Sequence, residues 1–136
     1  MIYLDTSATV KLVVAEEESG ALTDWLNEHP AENLATSIVG RIELIRAAAR
    51  IGSNAVVLAR NVASTIDTFV LTETIASLAA TISPEELRTL DAIHLATAQV
   101  HRTSLTAFCA YDRRLLEAAG SQGLPTVSPR GEATLG

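Results

Sequence analysis

Asp91 lies in LRTLDAIHLATAQV, residues 87–100, where Leu87, Leu90, Ile93, Leu95, Ala96, Ala98 and Val100 surround a carboxylate with apolar helix. A buried carboxylate without a partner is costly, so its charge requires compensation. Asp5 follows the apolar run Met1–Leu4, and Asp112 follows SLTAFCA at 104–110. Both runs read as strands, and residues just past strand ends face the ligand crevice of an open α/β sheet. Helix N-termini also face that crevice, so Asp91 can join Asp5 and Asp112 there. Carboxylates gathered in this way can hold metal ions and act on a polyanion. Each acid also has a plain structural role open to it, capping a turn or a helix. Glu43, beside Arg46 and Arg50 in IVGRIELIRAAARIG, read alone fits a solvated, ion-paired helix face. His94 can join a metal site, but on an apolar face it reads better as a satisfied core histidine.

The elements that must position these acids alternate between strand and helix. Residues 1–4 form a first strand without polar alternation, as expected where both faces are covered. Thr6 and Ser7 can cap a helix over ATVKLVVAEEE, and ALTDWLNEHP forms a second helix stopped by Pro30. NLATS at 33–37 is a strand leading into the helix at 38–52, followed by a helix over 53–67 and a strand at 68–72. A helix over 73–82 is followed by Ser83-Pro84-Glu85-Glu86, a helix-start signal that leads into the Asp91 stretch. The strand at 104–110, a helix over 113–123 and a final strand within 124–128 complete the pattern. Alternation of this kind predicts an α/β fold with a mostly parallel sheet and helices on both faces.

The bulk numbers agree. With 136 residues, 48% of them hydrophobic and only 4% aromatic, the chain can build one aliphatic core. We expect a single domain over 1–136 with a polar tail from about residue 128. The net charge of −6 argues against a general electrostatic grip on nucleic acid, leaving a local one to a few arginines. Cys109 stands alone in an apolar run, so intrachain disulfides and cysteine-based zinc sites are excluded and it reads as core filler. The N-terminus has neither a basic n-region nor a long apolar segment, and no stretch approaches membrane-spanning length, which predicts a cytoplasmic protein.

Taken in order, LDTSA, RIEL, LDAIHLATA and YDRRL resemble the PIN-domain nucleases, specifically the VapC toxins of bacterial and archaeal toxin–antitoxin pairs, from Met1 to about Val127. The resemblance implies a compact α/β/α sandwich and an acidic pocket that binds magnesium or manganese and cuts RNA. It matches Asp5, Glu43, Asp91 and Asp112 to the family's acidic quartet, which replaces the surface reading of Glu43. Asp5, Asp91 and Asp112 become metal ligands, and Thr6 or Ser7 a supporting hydroxyl. Ala110 departs from the threonine or serine often found two positions before the last acid, removing one hydrogen bond around the metal. The implied partners are RNA and a VapB-type antitoxin, within a homodimer or a toxin–antitoxin hetero-oligomer, with no membrane.

The chemistry suits such a quartet. Clustered carboxylates raise each other's pKa, and a divalent cation removes the conflict. An all-oxygen set favours magnesium or manganese over zinc. A cation held there activates water for in-line attack, with Glu43 orienting that water or acting as base, leaving 5′-phosphate and 3′-hydroxyl ends. Arg46, Arg50, Arg113 and Arg114 are the arginines nearest the acids in sequence and are candidates for phosphate contacts. Two other classes compete. A phosphotransfer or phosphatase-like domain would also place acids at strand ends, but LDTSA lacks the second aspartate of the phosphatase signature. A non-catalytic α/β binding module would use the same acids only as caps and surface charges.

Overall fold

A computed structural model describes residues 1–131. Five parallel strands form one sheet in the order β3-β2-β1-β4-β5, from β1 (Ile2–Leu4), β2 (Leu34–Ser37), β3 (Asp67–Phe69), β4 (Ala107–Cys109) and β5 (Thr126–Val127). β1 is central because Ile2, Tyr3 and Leu4 are apolar on both faces, and all three are wholly buried. The chain winds outward from β1 to β3 on one side, then crosses to β4 and β5 on the other. The switch falls between β1 and β4, the place where an open α/β sheet offers its crevice.

Helices cover both faces. On one, Tyr3 and Phe108 pack with Leu95 and Ala98 of α6 (Thr89–Val100) and with Leu115 and Ala118 of α7 (Arg113–Ser121). On the other, Ile2, Leu4 and Cys109 meet Ala8 of α1 (Thr6–Lys11) and Leu22 of α2 (Ser19–Asn27). Cys109 is core filler, as its apolar setting predicted, and burial pushes its thiol up to about 12. α3 (Ile38–Ala49) and α4 (Ser53–Ala63) pair through Leu44, Ala48 and Ala59, while α5 (Glu73–Thr81) packs on α6. No helix among the described residues is long and apolar enough to cross a membrane.

Several element boundaries differ from the sequence pattern, each for a local reason. α1 ends at Lys11, well before Glu18, because Lys11 Nζ turns to bind Glu16 at 3.2 Å and Glu18 at 2.9 Å. Three consecutive glutamates also oppose the negative end of a helix dipole. α4 stops at Ala63 and β3 begins at Asp67, leaving Val70 and Leu71 exposed outside the strand. Thr72 then caps α5 by accepting from the Ile75 amide at 3.2 Å. The Ser83-Pro84-Glu85-Glu86 signal opens a turn, closed by the Leu87 amide on Pro84 oxygen at 3.1 Å, and α6 starts only at Thr89. Leu87 packs on the core and pulls the chain out of helical register there. The strand expected over 104–110 narrows to 107–109, preceded by a 3-10 turn at Arg102–Ser104. Of the polar tail, 132–136 lie outside the described residues.

Candidate active site

The extended backbone of β1 delivers Asp5 to the end of the strand, where its amide donates to Cys109 oxygen on β4 at 3.1 Å. Its carboxylate caps α1, accepting from the Ala8 amide at 3.0 Å and from Ser7 Oγ at 2.6 Å. Ser7 Oγ in turn accepts from the Tyr111 amide at 2.9 Å, so one hydroxyl ties the ends of β1 and β4 to the first acid. The capping role open to Asp5 is therefore real, yet the residue also faces the crevice. Asp112 likewise caps α7 through the Leu115 amide at 2.9 Å.

Late starting of α6 at Thr89 places Asp91 in its first turn, where the helix dipole favours an anion. Its carboxylate is accommodated differently from what a dry helix would require. Leu90 and Val100 are exposed, and the Asp91 side chain stands 21% open at the crevice edge. Its partner is Arg88, whose Nε lies 3.6 Å from Asp91 Oδ2, while Nη2 lies 3.4 Å from Asp112 Oδ2. Nothing in the spacing of Arg88 distinguishes it from a surface arginine; its place one turn before Asp91 is the available signal.

Glu43 rises from the second turn of α3 into the same space. Thr6 Oγ1 donates to Glu43 Oε1 at 2.5 Å, and His94 Nε2 lies 3.0 Å from that oxygen and 3.1 Å from Thr6 Oγ1. His94 is 1% exposed, and its Nδ1 meets Tyr3 Oη at 2.7 Å. It is the satisfied core histidine the sequence suggested, and it also holds an acid of the quartet. Gly40 makes room for it, since a Cβ there would stand 2.8 Å from His94 Cε1 and 2.6 Å from Thr36 Oγ1.

Asp5, Thr6, Ser7, Glu43, Arg88, Asp91 and Asp112 thus line one cleft of about 350 Å³. An adjoining groove of about 780 Å³ shares Thr6, Ser7 and Glu43 with it and brings in Lys11, Arg46 and Arg50. Arg113 pairs with Glu117 at 3.1 Å and Arg114 lines a separate depression with Pro84 and Leu87, so neither lines the cleft.

Charge is under tension in the cleft. Burial pushes the Asp5 carboxyl up to about 6 against its bonds from Ser7 and Ala8, and Asp91 adds to the rise. Burial also raises Asp91, with Asp112 and Glu43 contributing and Arg88 opposing. Burial opposes ionisation of Glu43 too, but the bonds from His94 and Thr6 outweigh it and hold the carboxyl below its usual range. Among the described residues, no three His, Cys, Asp or Glu side chains are drawn into a ready-made ligand set. The donors that line the cleft are nonetheless all oxygen, and their mutual repulsion is partly relieved by Arg88. That chemistry fits a hard cation that keeps several of its own waters.

Residues 2–121 match the family model described as PIN domain. The chain belongs to the PIN-domain family. Within it the relatives are VapC proteins: Ribonuclease VapC47 of Mycobacterium tuberculosis is 46% identical over 132 residues, covering 95% of this chain and 97% of the relative. Among solved structures, VapC20 of Mycobacterium tuberculosis, described as a sarcin-ricin loop cleaving toxin, aligns over 95% of this chain and 100% of its own with a TM-score of 0.74 and 19% identity. A toxin–antitoxin complex from Klebsiella pneumoniae aligns over 95% and 98% with a TM-score of 0.73 and 24% identity. At those identities the two structures speak to the fold, an all-parallel PIN sheet flanked by helices.

Proposed function

We propose that this PIN-domain protein, a single domain over 1–136, is the endoribonuclease toxin of a toxin–antitoxin pair, hydrolysing RNA with the help of magnesium or manganese. The observation that carries this reading is the meeting of Asp5, Glu43, Asp91 and Asp112, from four separate stretches of chain, in one cleft of a VapC relative. Asp5, Asp91 and Asp112 are the residues that would hold the ion. When bound, a divalent cation activates water and stabilises charge on the phosphate during in-line displacement.

The chain's own groups do the rest. Ser7 Oγ and the Ala8 amide both donate to Asp5 Oδ1, which holds the carboxylate in one orientation. Glu43, kept ionised, accepts a proton from the attacking water or orients it. Arg46 and Arg50, in the adjoining groove, receive the RNA backbone as it leaves the cleft. Arg88 stands beside two of the acids and would be free to meet the substrate phosphate if a cation neutralised them. Hydrolysis by water leaves 5′-phosphate and 3′-hydroxyl ends.

The partner is a VapB-type antitoxin, supported by the Klebsiella pneumoniae toxin–antitoxin complex of the same fold, and we place the pair in the cytoplasm. Purified protein, freed of any copurified partner, should cleave members of a panel of cellular RNAs with magnesium or manganese and lose that activity on chelation and in Asp5→Asn and Asp91→Asn. Cleavage indifferent to chelation and to both substitutions defeats the mechanism. Absence of both cleavage and divalent-ion binding favours the non-catalytic module.

A further inference from the structure

We infer that His94 is a positioning residue for the reaction, fixing the Glu43 carboxylate toward the cleft while Tyr3 fixes the imidazole's tautomer from beneath. The inference rests on the reading of Glu43 as the acid that orients or deprotonates water.

The chain of contacts runs from the middle of the sheet outward. Tyr3 on β1 is wholly buried, stacked on Phe108 with ring centroids 5.5 Å apart and meeting the His94 ring edge-on at 5.8 Å. Its hydroxyl lies 2.7 Å from His94 Nδ1. The Glu43 carboxylate can only accept, so the neutral ring carries its proton on Nε2, the nitrogen that faces Oε1, and Nδ1 is left to accept from the Tyr3 hydroxyl. The opposite tautomer would set a nitrogen lone pair against a carboxylate oxygen at 3.0 Å.

The ring has no freedom to drift. α3 passes so close that Gly40, three residues before Glu43, cannot carry a Cβ without meeting His94 Cε1 at 2.8 Å. A glutamate on a helix surface has three rotatable bonds and loses its entropy only where contacts hold it. Here two donors, Thr6 Oγ1 and His94 Nε2, converge on Oε1. Among the described residues Oε2 has no protein hydrogen-bond donor, which leaves it to a water in the cleft. His94 does not line that cleft, so it acts through Glu43.

The test uses full-length protein and a cleavable RNA with manganese. His94→Phe should lower kcat by about 10- to 100-fold while KM and manganese affinity stay within about twofold. His94→Gln, whose amide nitrogen can stand where Nε2 stands, should recover most of that loss, and His94→Asn should not. In a Glu43→Gln background His94→Phe should change the residual kcat by less than about twofold, because the group it serves is gone. Tyr3→Phe keeps the imidazole but frees its tautomer, and carries the same comparison should His94→Phe fail to fold. Additive losses, a fall in metal affinity without a kcat effect, or a glutamine no better than phenylalanine overturn the inference. Wild-type protein that cleaves no RNA overturns the ribonuclease reading and this inference with it, whereas wild-type cleavage with unchanged kcat in His94→Phe overturns this inference alone.

Discussion

Arg88 reaches Asp112 across 24 positions of chain, Nη2 to Oδ2 at 3.4 Å, from a guanidinium that is otherwise open to solvent. The same side chain contacts Asp91, so one exposed cation spans two of the acids proposed to hold a metal. It occupies the electrostatic role of the ion.

Arg88→Ala should therefore tighten manganese binding, by about threefold to tenfold, as expected for removal of one competing and solvent-screened charge. Calorimetric titration of the partner-free protein reads this directly. Weaker binding in the variant would show that Arg88 supports the site and does not compete for it. Cleavage should fall even as metal affinity rises, if the guanidinium also meets the phosphate.

The metal-free protein should lose stability as the Asp5 carboxyl ionises. Its folded value of about 6 lies above the ordinary 3.8, so the folded state holds this proton more tightly than the unfolded chain. Stability from this group is therefore present below pH 3.8, falls as pH rises toward 6 and stays reduced above it, by at most about 3 kcal/mol. Asp5→Asn keeps an oxygen to cap α1 and should melt higher than the parent at pH 7.5 without metal. Magnesium or manganese should raise the melting temperature of the parent and leave Asp5→Asn nearly unmoved. A variant that melts lower than the parent at that pH contradicts the assignment.

Arg46 and Arg50 border the groove that continues from the cleft. Arg46→Gln with Arg50→Gln should raise KM for RNA and leave kcat within about twofold. The slope of log KM against log salt should fall by roughly 0.7 for each phosphate of a single-stranded RNA that the variant no longer neutralises. An unchanged slope would mean that the backbone leaves the cleft by another route. Arg113→Gln and Arg114→Gln, which lie away from both grooves, serve as controls.

Gly40→Ala should cost about 1–3 kcal/mol in chemical denaturation, because its methyl group would overlap both Thr36 Oγ1 and the His94 ring. Gly20→Ala, with open space around the new methyl, should be close to neutral or slightly stabilising. The pair separates crowding at His94 from the general effect of alanine in a helix.

Much of the fold is legible in the sequence. Alternating apolar runs and helical periods are enough for a parallel α/β sheet, and the apolar, unalternating Met1–Leu4 segment marks a strand covered on both faces. Asp5 and Asp112 stand at strand ends, which is a local property, and the order of the four acidic motifs points to the PIN family. Boundaries are less legible where a tertiary contact outweighs a local signal. Leu87 packing on the core turns a strong helix-start sequence into a turn.

What the sequence by itself determined were the residue types, their periodicity and their distance from strand ends, all of which depend on short-range geometry. Only the tertiary structure decided that Arg88 neutralises Asp91 and Asp112, that Arg113 and Arg114 lie away from the cleft, and that a buried histidine holds Glu43. Those pairings join residues up to 51 positions apart, and electrostatic and hydrogen-bond energies depend on separation in space, which spacing along the chain does not encode.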